Sequence, residues 1–318
     1  MGDMVRIFKV KQALGADSEA LISNIRRNDL CFFRFSGGNV GETPRLIEEL
    51  CDLKATGVFL VGIFRFPFRF EGQRRLQTAI LQYYQMRELC DAVTYIHADG
   101  MLETLNEETS VEDAYQKFDW VEDEPIRAIE EMLRVSEQAS VNAEDLRTFL
   151  SQTKGPVYTR TLDTDASDEP LHDVLDTPYL ADDYTEGRQL IAYMGCAKDM
   201  PMSTFQLMNL HLHDLFHNCE SFKLGTYFLD KPGRTQFRIT LMVNGIADPY
   251  PQTQPFRRFR VQQLWLKRQW SLMTYKGKNL NHLVLAGPGM RGDNQHKSML
   301  RRYQETEAHF VDGLKPNH

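Results

Sequence analysis

The pattern of apolar and polar residues in the first half of the chain predicts repeated strand–loop–helix units. Three short apolar runs have the composition of buried strands, at residues 30–35, 58–63 and 92–97. Two stretches place apolar residues three or four positions apart and predict helices, at residues 43–53 and 72–90. Residues 98–100 are predicted to form a turn, and a further helix is predicted to begin at 122–125, since proline suits a first turn. Units of this length predict a parallel sheet with helices on both faces.

The second half has a mixed pattern. Residues 140–145 predict a turn in which Asn142 or Ala143 precedes another helix, and the acidic stretch 163–183 predicts an irregular loop. An amphipathic helix is predicted at 205–216, and two strands at 221–228 and 236–243 are predicted to be joined by a turn at 231–234. This order of elements predicts an α+β region.

The composition is that of a soluble globular protein. The 318 residues are 42% hydrophobic and 25% charged, and no apolar run is long enough to predict a transmembrane segment. The five cysteines are scattered without zinc-ligand spacing, so we expect reduced thiols, a cytoplasmic location and no metal site. The absence of repeats, low-complexity tracts and cysteine pairs argues against a fibrous, disordered or disulfide-rich protein.

The net charge of −7 is unevenly distributed. Residues 251–318 contain twelve Lys and Arg against four Asp and Glu, a balance of +8, which leaves −15 for the other residues. A basic region of this kind is either solvated or meets a partner of opposite charge. Residues 256–302 are therefore a candidate surface for an acidic partner, a nucleic acid or an anionic membrane surface.

Seven segments, in the same order and with matching gaps, resemble FtsZ, the bacterial relative of tubulin. The sequence VGIFRFPFRFEGQRR at 61–75 is similar to the family's VGVVTKPFxFEGxxR, and the glycine loop at 37–44 stands where FtsZ has its GGGTGTG phosphate loop. The other segments resemble IPNDxLL, SLLDAF, the synergy-loop sequence VDFADVR, and the strands FGT and RVTVIATG, at 95–102, 110–115, 141–147, 224–226 and 237–245. The match covers residues 5–246 and starts after the phosphate-cradling unit that opens an FtsZ chain.

The resemblance implies an α/β fold with three parts. Residues 1–135 would form a reduced FtsZ/tubulin-like parallel-sheet nucleotide domain with its core helix. Residues 136–248 would form the α+β second domain. Residues 249–318 would be a basic C-terminal extension, which is also a candidate to complete the first domain.

The resemblance also implies a set of site residues, with GTP as the nucleotide. The nucleotide-binding positions are Gly37, Gly38, Gly41 and Thr43 in the loop, Glu71 and Arg75 around sugar and phosphate, and Tyr115 and Asp119 around the base. Asp145 is the remaining synergy-loop acid and the candidate catalytic residue. Three departures oppose a working site: Glu42 brings a negative charge to the loop, Ala98 replaces the guanine-reading asparagine, and Asn142 replaces the second acid.

A second glycine loop follows late in the sequence. Gly287, Gly289 and Gly292 form a GxGxxG motif between a strand-like run at 283–286 and a helical pattern at 295–305. In this context backbone amides and a helix N-terminus hold phosphate. The motif either restores the missing unit, as in a circular permutation, or is a glycine turn in a basic extension.

An open strand edge is a further expectation. If the family's usual neighbour is missing, the strand at 30–35 needs another partner, because an uncovered apolar edge invites aggregation. Residues 282–286 are the first candidate, and the alternatives are a strand at 5–10 or a partner chain.

These features predict a non-canonical FtsZ-like protein that acts through protein–protein interaction. It would form, cap or regulate a tubulin-like filament, with itself or a true FtsZ as partner, and without GTP hydrolysis. One alternative is an active GTP-binding and GTP-hydrolysing relative that uses the loop at 287–292. Another is a nucleic-acid-binding protein that uses the basic region, with steep salt dependence.

Overall fold

The computed structural model describes residues 6–11, 24–27, 29–134, 141–152, 155–164, 171, 175–229 and 237–250. Several of the sequence expectations concern residues outside these ranges. They are the turn at 231–234, the basic surface at 256–302, the glycine loop at 287–292, the strand-like run at 282–286 and the helical pattern at 295–305.

A four-stranded parallel sheet forms the first half of the described structure. Its strands are β1 (Ile7–Lys11), β2 (Leu30–Ser36), β3 (Phe59–Phe66) and β4 (Ala92–His97), in that spatial order. Most side chains of β2 and β3 are buried, as expected for strands covered on both faces. The predicted parallel α/β arrangement is confirmed.

The edge of β2 is covered by the N-terminal strand. Ile7 pairs with Leu30 on one side of β2, and Leu30 pairs with Phe59 on the other. Both hydrogen-bonding edges of β2 are therefore occupied. Of the partners predicted for β2, the N-terminal strand is confirmed, and residues 282–286 lie outside the described residues.

Two helices cover one region of the sheet and pack against each other. They are α1 (Thr43–Ala55) and α2 (Gln73–Leu89), close to the predicted bounds. Leu46, Leu50 and Leu53 of α1 are buried, and so are Tyr83 and Met86 of α2. The three-to-four residue spacing seen in the sequence thus marks the faces that contact the core.

The predicted turn at 98–100 is instead the start of a short helix. Helix α3 (Ala98–Glu103) continues directly from β4. Residues near the end of the acidic stretch 163–183 pass very close to this helix: a Cβ on Gly100 would lie 1.9 Å from the carbonyl oxygen of Pro178. The backbone amide of His97 donates to the carbonyl of Tyr179 at 2.9 Å. Glycine is needed here for close approach rather than for a turn.

The helix that was predicted to begin at 122–125 begins much earlier. Helix α4 runs from Val111 to Arg134 with Pro125 inside it. Its start is set by Ser110, whose hydroxyl oxygen accepts from the backbone amide of Asp113 at 3.1 Å. Pro125 lacks the amide that would bond the carbonyl four residues earlier, yet the helix continues through it to Arg134. The proline is therefore accommodated in the helix interior.

A second four-stranded sheet confirms the predicted α+β half. Its strands are β5 (Val157–Thr164), β6 (Gln189–Cys196), β7 (Ser221–Phe228) and β8 (Phe237–Asn244), in the spatial order β5-β8-β6-β7. β8 runs antiparallel to β5 and β6, while β6 and β7 are parallel. Helices α5 (Ala143–Ser151) and α6 (Met202–Leu215) belong to this half, and Asn142 is the N-cap of α5.

The two halves are joined at several points. The long helix α4 packs on β5, and Val93 of β4 forms an isolated parallel bridge with Pro156. After β8, Asp248 accepts a hydrogen bond from the Tyr83 hydroxyl at 2.8 Å and pairs with Arg87 of α2. Within the described ranges, no helix is both long and apolar enough to span a bilayer.

Candidate functional site

The predicted phosphate loop lies at the carboxyl edge of the parallel sheet, between β2 and α1. Gly37 and Gly38 are buried, and residues Val40–Glu42 form a single helical turn before Thr43. A Cβ on Gly37 would lie 2.3 Å from the Phe64 ring, and Gly38 has a φ of +113°, which favours glycine. Packing and backbone geometry thus account for both glycines without a bound phosphate.

Three backbone amides of this loop, besides that of Gly38, bond to groups inside the protein. Gly37 donates to the carbonyl of Arg65 at 2.9 Å. Gly41 donates to the Asn39 side chain at 3.1 Å, and Glu42 donates to the Asn39 carbonyl at 3.2 Å. A phosphate-binding loop instead directs its free amides at the anion.

Gln82, a wholly buried residue of α2, bonds directly to the loop. Its carboxamide oxygen accepts from the Gly38 amide at 2.8 Å, and its amide nitrogen donates to the Asn39 carbonyl at 2.7 Å and to the Thr43 hydroxyl at 2.8 Å. The orientation is fixed by chemistry, because a backbone amide can only donate and a backbone carbonyl can only accept. Gln82 therefore occupies the hydrogen-bonding groups of Gly38 and Thr43.

Glu71 and Arg75 lie next to the same loop. Their side chains form an ion pair at 2.8 Å, one helical turn apart. Glu71 also accepts from the backbone amide of Phe68 at 3.0 Å, and the Arg75 Nε lies 3.1 Å from where a Gly38 Cβ would be. The structure thus brings these two predicted residues together with the loop, and it pairs them with each other.

The two predicted base-contacting residues are in different environments. Tyr115 is 67% exposed on α4. Asp119, one turn further along, accepts from the buried Arg34 of β2 at 2.8 Å. Arg34 also bonds Asp123 at 2.7 Å and Glu122. Burial opposes the charge on Arg34, but these carboxylates outweigh it and raise the pKa of the guanidinium.

Asp145, the candidate catalytic acid, has a structural role at the start of α5. It accepts from the Asn142 backbone amide at 2.9 Å, while the Asn142 side chain accepts from the amides of Glu144 and Asp145, each at 2.9 Å. Asp145 also pairs with Lys223 of β7. The hydrogen bond from Lys223 lowers the pKa of Asp145, so the carboxylate is a weaker proton acceptor than usual.

Two residues of this site were not found from the sequence. Gln82 interrupts an otherwise apolar helix face, and Arg34 interrupts the apolar strand LCFFRFS. A polar residue within an apolar pattern is the sequence signal that could have identified both. Gly287, Gly289 and Gly292 lie outside the described residues. No group of three or more His, Cys, Asp or Glu side chains is placed to hold a metal ion among the residues that are described.

The chain is similar to FtsZ in sequence and in fold, although no protein-family model matches it. FtsZ of Aquifex aeolicus is 24% identical over 215 residues, which cover 65% of this chain and 57% of that protein. An FtsZ structure from M. jannaschii superposes with a TM-score of 0.56 at 16% identity, over 72% of this chain and 67% of that one. CetZ from Methanosaeta thermophila gives a TM-score of 0.56 at 13% identity, over 93% and 78%.

Two sheets in this order, with a long helix beside them, give the chain the fold of the FtsZ and CetZ structures. In sequence the chain resembles FtsZ proteins at 22–24% identity. The chain spans about three fifths of the length of the curated FtsZ proteins it matches (57% and 61% for the first two).

Proposed function

We propose that this protein is a non-hydrolysing FtsZ-like protein that acts through protein–protein contact in the cytoplasm. It forms, caps or regulates a tubulin-like filament, with itself or a true FtsZ as its partner, in a process related to cell division. The relatives are cell division proteins, and solved structures of similar fold include protofilaments, such as that of TubZ from Bacillus thuringiensis.

The observation that carries this proposal is the occupied glycine loop. Gln82 bonds Gly38, Asn39 and Thr43, so an incoming phosphate would have to break these bonds before it gained any. Each buried hydrogen bond contributes about 1 kcal/mol, and a donor left unsatisfied costs more. The energetic balance therefore disfavours nucleotide in this loop.

The state of Asp145 supports the same conclusion. In the family that this chain resembles, a synergy-loop acid completes the pocket of the next subunit and positions the attacking water. That task calls for a carboxylate free to accept a proton. Asp145 instead holds the first turn of α5 and pairs with Lys223.

A chain whose nucleotide pocket is blocked, but which keeps the surface around its synergy loop at 141–147, could bind a neighbouring subunit at only one end. It can cover the nucleotide of a neighbouring FtsZ subunit, but it offers no pocket to the next one. Added to a growing filament, it would stop extension at that end. Capping is thus the form of regulation that this combination favours.

The test combines turnover with filament length. Purified full-length protein should release no phosphate from millimolar GTP, and substoichiometric amounts should shorten filaments of a true FtsZ. Glu144→Arg, an exposed change on the loop face, should abolish shortening. Glu88→Arg on α2, also exposed, is the matched control.

The opposing result would identify an active enzyme. GTP is the nucleotide to use because a CetZ2 protofilament from Haloferax volcanii is bound to the analogue GTPγS. Steady phosphate release that scales with protein concentration and is lost in Asp145→Ala would overturn the proposal. Release that is also lost in Gly289→Val would favour the alternative phosphate loop at 287–292.

A further inference from the structure

The inward-facing stripe of helix α4 extends past the part of the helix that packs on the core. Side chains alternately four and three residues apart form this stripe: Val111, Tyr115, Phe118, Glu122, Pro125, Ile129 and Met132. Residues with this spacing lie on one face of a helix. From Phe118 onward they are buried, whereas Val111 is 74% exposed and Tyr115 is 67% exposed. The face that contacts the core along the rest of α4 is therefore open to solvent at its first two positions.

Two more large apolar side chains are exposed beside this end of α4. Phe70, in the loop after β3, is 76% exposed, and Leu102 of α3 is 39% exposed. The Phe70 ring stacks on Phe68 with centroids 4.9 Å apart, and the Phe68 ring lies 6.2 Å from that of Phe118. The loop after β3 is therefore joined to the start of α4 by aromatic contacts, and Phe70 adds to the open apolar area.

Helix α3 and the loop after it bring acidic side chains to the same place. Lys117 of α4 donates to the carbonyl of Thr104, at the end of α3, so the two helices are in contact. Residues 103–113 contain five acids and no Lys or Arg, and all five acids are exposed. We call the apolar and acidic side chains together the α3–α4 surface, made up of Phe70, Leu102, Val111, Tyr115, Glu103, Glu107, Glu108, Glu112 and Asp113.

The negative charge of the α3–α4 surface is not neutralised within the described part of the chain. None of its five acids forms an ion pair there. The two bases at its border are engaged elsewhere, since Lys117 bonds a carbonyl and Arg69 pairs with Asp99 at 3.4 Å. The surface therefore presents five uncompensated carboxylates around exposed apolar groups.

This charge decides which kind of partner the α3–α4 surface fits. Contiguous exposed apolar side chains with a polar rim are typical of an interaction site. Exposed rings such as those of Phe70 and Tyr115 could stack on nucleic-acid bases or pack against a polypeptide. A nucleotide or a nucleic acid would bring further negative charge to an acidic rim, whereas a basic polypeptide brings the opposite charge. Charge complementarity therefore favours a basic polypeptide.

We propose that the α3–α4 surface binds a basic segment of a partner protein. An apolar side chain of that segment packs on Phe70 and Tyr115, and its flanking Lys or Arg residues pair with the acids of the rim. Tyr115, which the sequence predicts beside a nucleotide base, then contacts a peptide side chain instead. The partner binds whether or not the protein caps filaments, because the synergy loop at 141–147 is no part of this surface.

The first test is fluorescence anisotropy of a labelled peptide of alternating Arg and Leu, titrated with the full-length protein. Neutralising three acids of the surface should raise the Kd of the peptide by about eight-fold, because each exposed ion pair contributes a factor of about two. The substitutions are Glu103→Gln, Glu107→Gln and Glu112→Gln. The control makes the same change of net charge at three exposed acids elsewhere, Glu88, Asp199 and Glu220, and should leave the Kd within about two-fold.

The second test concerns the apolar half of the contact. Tyr115→Ser should raise the Kd by about five-fold through the loss of apolar contact. Leu210→Ser is the matched control, because Leu210 is 59% exposed on α6 and lies outside the surface. Bound peptide should also slow amide hydrogen exchange across residues 102–116, while exchange in β6 stays unchanged.

Several results would overturn the proposal. The peptide may fail to bind, or the surface variants may bind it no more weakly than their controls do. Self-association that is lost in the triple acid variant would place a second copy of this chain on the surface instead. Tighter binding of single-stranded DNA than of the peptide would show that charge does not select the partner. None of these assays contains GTP or FtsZ, so their failure is distinct from a failure of the capping proposal.

Discussion

Replacing Gln82 with leucine tests the central feature of the glycine loop. The change keeps a side chain of similar size in a site that is wholly buried, and it removes three hydrogen bonds of 2.7–2.8 Å. The Gly38 amide and the Asn39 carbonyl lose this partner. Each lost bond costs about 1 kcal/mol, and the buried groups left unsatisfied cost more. The apolar leucine side chain recovers part of this through burial. We therefore expect the free energy of unfolding to fall by about 3 kcal/mol.

The assay is urea-induced unfolding followed by circular dichroism. The midpoint should fall while the slope of the transition stays constant, as expected when stability alone changes. Gln77→Leu is the control, because Gln77 is exposed on the same helix and should change the free energy by less than about 0.5 kcal/mol. If the midpoint of Gln82→Leu coincides with that of Gln77→Leu, the three bonds do not hold the loop and the argument for a blocked site fails.

Three further predictions concern pH and close packing. Since Lys223 lowers the pKa of Asp145, stability from this pair is present above about pH 4 and is lost as pH falls below it. Asp145→Asn should cost about 1 kcal/mol at pH 7 in the same urea assay, and this cost should shrink progressively as the pH falls below about 4. Burial lowers the pKa of His97, so the unfolded chain binds the proton first and stability falls as pH drops below about 6.5. His97→Phe should remove this loss between pH 7.5 and 5.5, and an unchanged loss would contradict the burial argument. Gly100→Ala places a methyl group 1.9 Å from the Pro178 carbonyl and should lower the thermal unfolding midpoint strongly. Gly41→Ala is the control, because its methyl group would have its nearest neighbour at 3.5 Å and should leave the midpoint unchanged. Equal midpoints for the two variants would contradict the close crossing.

Much of the fold could be predicted from local patterns. The apolar runs that became β2, β3 and β4 are continuous because both faces of the sheet are covered. The start of α4 was misplaced because Pro125 is typical of a first turn, whereas the helix in fact begins just after Ser110, which caps it. The helix α3 was missed because Gly100 is a turn signal in sequence, and its real cause, the crossing of Pro178, is a long-range contact.

The candidate site was harder to predict because its state depends on pairings across the fold. The glycines at 37 and 38 are visible in sequence, but the bond from Gln82 to this loop joins residues far apart in the chain. The same holds for Asp119, whose partner Arg34 lies on another element. A motif shows which groups are present, and only the tertiary structure shows which of them are already engaged.

The links between the two sheets have a mechanical consequence. Rotation of one half against the other would break the Val93–Pro156 bridge, the bond from His97 to Tyr179 and the pairing of Arg87 with Asp248 together. A subunit that switches shape needs two arrangements of nearly equal free energy. Here a second, rotated arrangement would lose all three contacts at once and would therefore be higher in free energy than the first. These three contacts therefore resist rotation of one half against the other. In a filament of the proposed kind, such a subunit would oppose a change of curvature at its position.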